Sequence, residues 1–289
     1  MEWSLLAGVA LIWGSSFVLI AIALESFHPG LITFGRLALG MAALSFFPQA
    51  RRPIDRSDWP QVALLGVIWM ALPMTLFPIA QQWISSALTG MLNGAMPLFS
   101  ALFAALLLRR LPRRKQAIGL VVGFVGVSLL TLPGTDNAST AVGITLVLLA
   151  VMLYGLAVNF AVPLQQQYGG LPVLLRALAV ATVLTLPFAA WGVPQSSWSI
   201  EAGVAMLLLG VLGTGVAFVL MANLVGRAGA TRGAVATYFI PIVAVVLGVV
   251  IRNDVVTSAS LVGVALVIVG AYLTSRREAA RTTDSNDST

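Results

Sequence analysis

The chain consists of ten apolar runs separated by short polar ones, each long enough or nearly long enough to cross a bilayer. Crossing the hydrocarbon takes roughly 20 apolar residues of helix. Inside hydrocarbon every backbone N–H and C=O must find a partner within the protein, so only helices and closed barrels can span it. The runs are continuous rather than alternating in polarity, which selects helices. The pattern predicts an all-α polytopic membrane protein with ten transmembrane helices: 3–24, 30–47, 59–77, 86–108 and 116–132, then 141–164, 171–191, 200–225, 233–251 and 259–274. A composition of 59% hydrophobic and 9% charged residues agrees with that class and not with a soluble one. The first run is too long for a signal-peptide core and lacks a basic start, so a retained helix is expected.

Cysteine is absent, which removes disulfides, thiolate chemistry and sulfur-ligated metals. The one histidine, His28, precedes Pro29 in a short turn and reads as a solvated loop residue; no metal site and no cofactor is expected. A pI near 10.7 would suit a nucleic-acid binder, but the placement of the basic residues argues otherwise. Of sixteen, thirteen lie at Arg51, Arg52 and Arg56; Arg109, Arg110, Arg113, Arg114 and Lys115; Arg227 and Arg232; and Arg276, Arg277 and Arg281. With ten spans and an inside N-terminus all of these fall on the cytoplasmic side, the positive-inside bias. The expected setting is therefore a lipid bilayer, with both termini cytoplasmic and no nucleic-acid partner.

A repeat underlies the order of the spans. Shifting the chain by 144 residues lays Leu64-Leu65-Gly66-Val67 on Leu208-Leu209-Gly210-Val211, Pro97 on Pro241, Gly119 on Gly263 and Gly126 on Gly270. The second helices match at an offset of 140, with Arg36 on Arg176. Five helices per half is an odd number, so the second copy enters the membrane from the opposite side. Residues 1–132 and 133–274 are thus read as two inverted five-helix repeats, followed by a disordered cytoplasmic tail at 275–289. Inverted repeats mark secondary transporters, with the substrate site near the midplane between the halves.

Candidate functional residues are polar or aromatic groups at mid-span. A proline removes a backbone donor and frees the carbonyl four residues earlier. Here the residue four before a mid-helix proline is polar three times: Asn93 before Pro97, Asn159 before Pro163 and Thr237 before Pro241. A freed carbonyl beside such a side chain suits a pocket for a polar-headed substrate; small polar residues also serve helix packing, and both readings are open. In the first helix, WGSSF places Trp13 and Ser16 on one face, with Gly14 set for close helix contact and Ser15 for structural bonding. Tyr154 occupies the equivalent depth of helix six, and Tyr238 adjoins Thr237. The expected substrate-binding set is Trp13, Ser16, Asn93, Tyr154, Asn159, Thr237 and Tyr238, with Pro97, Pro163 and Pro241 as hinges and helices three, four, eight and nine enclosing the cavity.

Arg36 and Arg176 are the two charges inside spans; near helix ends they are expected to bond free carbonyls, with recognition of a substrate carboxylate or phosphate as the alternative. All ten carboxylates lie in loops, flanks or the tail, so no proton relay and no acid–base pair for an intramembrane enzyme is available. The glycine-rich helices five and ten could offer a stripe to a partner, leaving monomer and homodimer both open.

WGSSF in helix one, TGMLNGAMPLFSALFA in helix four and IGLVVGFVGVSLLT in helix five, set in two inverted fives, resemble the EamA-type branch of the drug/metabolite transporter superfamily. The likeness covers about residues 5–277, and within the branch the chain looks most like amino-acid exporters of the YddG type. It implies a carrier in the bacterial inner membrane that exports small neutral or amphipathic metabolites, aromatic and hydrophobic amino acids among them, by alternating access. Small multidrug-resistance relatives carry a glutamate in helix one where this chain has Trp13 to Ser16, which argues against cation–proton exchange. A nucleotide-sugar or drug carrier of the same superfamily, a passive channel and a structural membrane subunit are the alternatives.

Overall fold

The computed structural model describes residues 2–109, 111–132, 138–228 and 230–275. Arg110, Asp136, the Arg232 side chain and the tail from residue 276 lie outside the described residues. Ten helices follow in order: α1 Glu2–Ala23, α2 Pro29–Ser45, α3 Arg56–Ala80, α4 Ser86–Leu107, α5 Arg114–Thr131, α6 Ala138–Tyr168, α7 Gly170–Gly192, α8 Ile200–Arg227, α9 Ala230–Arg252 and α10 Ser258–Ser275. No strand occurs among the described residues. The protein is an all-α polytopic membrane protein. Helix α2 has 17 residues, which at about 1.5 Å each still approach the hydrocarbon thickness. Side chains such as Leu106, Val121, Leu184 and Val250 project outward as a lipid-facing surface.

Helix packing follows the glycines. A Cβ at Gly14 of α1 would lie 2.5 Å from Cβ of Val243 on α9, and one at Gly155 of α6 would lie 2.7 Å from Cβ of Phe99 on α4. Phe99 and Val243 are themselves 144 residues apart. Likewise a Cβ at Gly119 would meet the Gly270 carbonyl at 2.8 Å, and one at Gly126 would meet that of Gly263 at 2.6 Å. At these glycines α5 and α10 lie backbone to backbone. Helix α2 packs on α7, α4 on α9, and the pairs α1–α9 and α2–α8 have counterparts in α6–α4 and α7–α3. Exchanging each helix with the one five places along leaves this pattern unchanged.

The regular helix is interrupted at three places. Gly66–Ala71 in α3 and Leu208–Val216 in α8 are π-helical, and the two segments overlap under the 144-residue shift. Helix α4 breaks at Gly94-Ala95, with Pro97 in the first turn of its second half, whereas α9 runs unbroken through Pro241. The α4 break exceeds the proline bend expected there. Gly94 and Ala95 donate three residues back, to the Met91 and Leu92 carbonyls at 3.1 and 3.0 Å, and the tightened turn ends the first half. Ser275, placed in the tail from sequence, closes α10.

His28 is not a solvated loop residue. Its Nδ1 accepts from Gly30 N–H at 3.1 Å and so caps α2, its own N–H donates to Ser196 Oγ at 2.9 Å, and its ring packs edge-on against Phe188 and Trp191. An accepting Nδ1 puts the proton on Nε2 and requires the neutral imidazole. Burial holds its pKa below the ordinary 6.5. Below pH 6.5 the unfolded chain then binds a proton at this site more readily than the folded one, so the stabilisation is complete above that pH and is lost as pH falls. Thermal unfolding in detergent should show a melting temperature that drops from pH 7.5 to 5, and His28→Asn, which keeps the cap, should flatten that drop.

Candidate functional site

Eight of the ten helices surround one cavity of about 590 Å³, within the range of small-molecule sites. Its wall takes Trp13, Ser16 and Phe17 from α1, Arg36 from α2, Trp69 to Phe77 from α3, Asn93 to Pro97 from α4 and Tyr154 to Gln166 from α6. Leu171 and Leu174 of α7, Phe218 to Gly226 of α8, and Thr237 and Ile240 of α9 complete it. Only α5 and α10 stand outside. The enclosure is thus wider than the four helices expected, because α1, α2, α6 and α7 close the gaps between them.

The cavity has one mouth and one sealed end. Its mouth lies at Gln165, Gln166 and Gly170 of the α6–α7 turn and at Val225 and Gly226 of α8. That is the face carrying Arg51, Arg52, Arg56, Arg109, Arg113, Arg114, Lys115 and Arg227, hereafter the basic face. Arg176 braces it by donating to the Ala50 and Pro172 carbonyls, each at 3.1 Å, the carbonyl-bonding role expected of it. Tyr168 adds bonds to Asp55 and Asp58 at 3.0 and 2.5 Å.

At the opposite face the helix connections are tied together. Asp254 Oδ2 accepts from Ser86 Oγ at 2.6 Å and from Ala87 N–H at 2.8 Å, so the α9–α10 connection caps α4. Ser26 bonds Ser199 at 3.1 Å, and Arg252 pairs with Glu25. The last pair is partly exposed, and such surface pairs contribute about 0–1 kcal/mol. Hydrogen bonds to a charged group are worth about 1.5–3 kcal/mol, so Asp254 rather than the ion pair dominates the seal. Beneath it, Phe17, Phe77 and Tyr154 form an aromatic floor with ring centroids 5.7 and 5.8 Å apart.

Of the residues proposed from sequence, Trp13, Ser16, Asn93, Tyr154 and Thr237 come together on the wall, with Pro97. Trp13 Nε1 donates to the Gly213 carbonyl at 3.0 Å, within the π-helical part of α8, and its ring meets Phe218 edge-on. Both Ser15 and Ser16 donate to the Ile12 carbonyl, at 3.0 and 3.1 Å, but only Ser16 reaches the cavity.

Asn159 and Tyr238 are not on the wall. Asn159 Nδ2 donates to the Ser100 and Gly155 carbonyls at 3.1 and 2.9 Å, clamping α6 to α4 where glycine brings them close. The Tyr238 hydroxyl turns to α10, 2.6 Å from Ser275 Oγ and 3.2 Å from the Ala271 carbonyl. Pro163 and Pro241 also lie off the wall; Pro241 Cγ would be 2.7 Å from a Cβ at Gly94, so the α9 proline sits against the α4 break.

Sequence reasoning missed Phe17, Trp69, Phe77 and Phe218, four of the six aromatic residues on the wall among the described residues, and preferred a structural role for Arg36 over substrate recognition. Trp69 carried a usable signal, a mid-span tryptophan two residues past the repeat-matched LLGV segment. Arg36 is 8% exposed and its Nε donates to Thr214 Oγ1 at 3.1 Å, but its remaining edge faces the cavity. No Asp or Glu lines the cavity among the described residues. Among the described residues, the Arg36 terminal amines, the Asn93 amide and the Tyr154 hydroxyl make no hydrogen bond to protein. Three polar groups of a largely apolar and aromatic wall, which also includes Ser16, Thr237, Gln165 and Gln166, are thus without a protein partner among the described residues. No group of acids, histidines or cysteines able to hold a metal occurs among the described residues.

The EamA-like transporter family matches the chain twice, over residues 2–132 and again over residues 141–276. The chain belongs to that family. This EamA-like protein is accordingly a transporter and not an enzyme. It is 28% identical to a probable terminal-alkyne amino-acid exporter of Streptantibioticus cattleyicolor, over 96% of this chain and 94% of that one. It is 26% identical to the transporter YdfC of Bacillus subtilis over 91% and 87%, and 24% identical to the inner membrane transporter YedA of Escherichia coli over 91% and 89%. A protein solved by crystallography shares the fold with a TM-score of 0.63 at 18% identity, over 94% of this chain and 95% of that one.

Ser15 and Ser16 allow the wall to be tested within this EamA-like transporter. Ser16→Leu fills cavity space while Ser15→Leu does not, and either loses only a bond back to its own helix. Transport by the first variant should fall by about tenfold or more and by the second less than about twofold, measured as initial uptake rates in proteoliposomes. Equal losses would detach Ser16 from the wall.

Proposed function

We propose that the protein is a secondary transporter exporting small amphipathic metabolites, with hydrophobic and aromatic amino acids as the first candidates, by alternating access. The observation that carries this reading is the chamber itself: aromatic walls, three unpartnered polar groups, one open end and one sealed end. An apolar body with a single polar head fits those walls, and the sealed end is what a carrier, unlike an open pore, requires. The relative named as an amino-acid exporter supports the substrate class. The positive-inside bias supports placing the basic face, the mouth and both termini in the cytoplasm of a bacterial cell, so that the chamber loads from inside.

The paired glycine contacts support reading the two halves as inverted copies. In that reading α4 and α9 are one element in two states, broken at Gly94-Ala95 in the first half and straight in the second. Pro97 and Pro241 act as hinges at that junction, because a missing N–H lets the helix bend without orphaning a further donor. Closing the mouth straightens α4 and bends α9 while the Asp254 cap and the Phe17–Phe77–Tyr154 floor part. Pro163, which adjoins the Asn159 clamp, is the third hinge, where α6 leaves α4. The absence of acids from the wall leaves a proton gradient no relay group there.

Counterflow in proteoliposomes tests the function. Labelled phenylalanine, tryptophan, methionine or threonine should enter saturably and be accelerated by unlabelled amino acid inside, whereas failure of all four would overturn the substrate class and non-saturable flux would indicate a channel. The hinge is tested separately: replacing Pro97 and Pro241 together by alanine should cut turnover by about tenfold while ligand affinity changes less than about twofold, and unchanged turnover would remove the hinge.

A further inference from the structure

We propose that Arg36 is the receptor for a substrate carboxylate, and that the transported compounds are monoanionic or zwitterionic carboxylic acids with an apolar body. The inference deepens the amino-acid reading above and rests on it for the direction of transport, but not for the chemistry of the site. Arg36 lies near the midpoint of helix α2, Pro29–Ser45, with 8% of its surface exposed. The inner edge of the guanidinium is fixed, since Nε donates to Thr214 Oγ1 at 3.1 Å and Thr214 Oγ1 in turn donates to the Leu209 carbonyl at 3.2 Å. Both partners belong to the α8 segment Leu208–Val216, whose π-helical turn sets the Thr214 hydroxyl toward α2.

That single anchor leaves the two terminal amines with four N–H donors and, among the described residues, no protein acceptor for any of them. Arg36 is a residue of the cavity wall. A space is kept beside its amines: a Cβ at Gly213 would stand 3.2 Å from Ser16 Oγ and 3.9 Å from Arg36 Nη2, so the missing side chain opens a recess between the two. The Tyr154 phenol lies within electrostatic reach of the guanidinium. Together with the Asn93 amide it adds neutral donors and acceptors to the same wall.

A guanidinium out of bulk water, paired to no acid, is costly, and an anion that accepts its forked donors removes that cost. Among the described residues none supplies such an anion, because no carboxylate of theirs lines the cavity. Charge count selects the ligand. Among the described residues Arg36 is the single Arg or Lys on the wall, so it balances one negative charge and would leave a phosphate dianion half compensated. A carboxylate matches the planar fork in both shape and charge. The Trp13, Trp69 and Phe218 rings then receive the apolar body.

The test is a head-group series read by ligand-induced change in melting temperature and in intrinsic tryptophan fluorescence, to which Trp13 and Trp69 report. The probes are 3-phenylpropionate, phenylalanine, phenylalaninamide, 3-phenylpropanol, 3-phenylpropylamine and phenyl phosphate, applied to the detergent-purified full chain. The two carboxylates should bind at least about tenfold more tightly than the amide, alcohol and amine, the worth of a charge-assisted bond pair, and more tightly than the phosphate. Arg36→Gln should erase that preference, and Arg36→Lys, which keeps the charge without the fork, should retain it in weakened form. If Arg36→Gln fails to fold, the wild-type series with Arg36→Lys still decides. Equal binding across the series, or a carboxylate preference that survives in Arg36→Gln, would overturn the proposal. Carboxylate-selective binding without counterflow of any amino acid would keep Arg36 as the receptor and overturn only the amino-acid reading; counterflow with no head-group preference would do the reverse.

Discussion

Everything in this fold follows from the requirement that backbone hydrogen bonds be made inside the protein wherever lipid surrounds it. Among the described residues the lipid-facing runs are mostly regular helix, Leu212 in the π-helical part of α8 being an outward-facing exception. The other departures occur where the cavity or another helix covers the backbone. The π-helical turns of α3 and α8 expose Trp69 and Met70 to the cavity and present the Gly213 carbonyl to Trp13. The break in α4 lies between Asn93 and Met96, both on the cavity wall. Irregular backbone therefore marks the chamber as surely as its side chains do.

The ten spans were legible from sequence because hydrophobic length is a strong, local signal. Trp13, Ser16, Asn93, Tyr154 and Thr237 were legible as well, since polar or interfacial residues at mid-span carry an evident cost. Facing was harder to read. Asn159 and Tyr238 bear the same signature as their neighbours, yet one clamps α6 to α4 and the other bonds α10. A polar residue in a spanning helix announces a partner without saying whether that partner is a ligand or a carbonyl of the next helix. Trp69, Phe77 and Phe218 escaped because an aromatic residue in an apolar run looks like core. For Arg36, depth estimated along the sequence was misleading, because its surroundings are set by Thr214, nearly two hundred residues away.

The two faces differ in the kind of bonding that holds them. The sealed face relies on contacts between connections, chief among them the double acceptance by Asp254 and the serine pair. At the basic face Arg176 and Tyr168 bind the α2–α3 connection to α6 and α7 and leave the space between α6 and α8 open. Arg36 and Arg176 are matched by the repeat yet do unlike things, one reaching toward the chamber and the other bracing a loop. Sequence symmetry thus coexists with an asymmetric state.

Helices α6 and α7 are separated by a single residue, Gly169, whose φ of 86° few other residues adopt at low cost. Such a joint has no slack. Gln165 and Gln166 on one side of it and Leu171 on the other form the rim of the mouth. With one residue between them, a displacement of either helix end draws the other with it, so the two sides of this part of the rim are coupled.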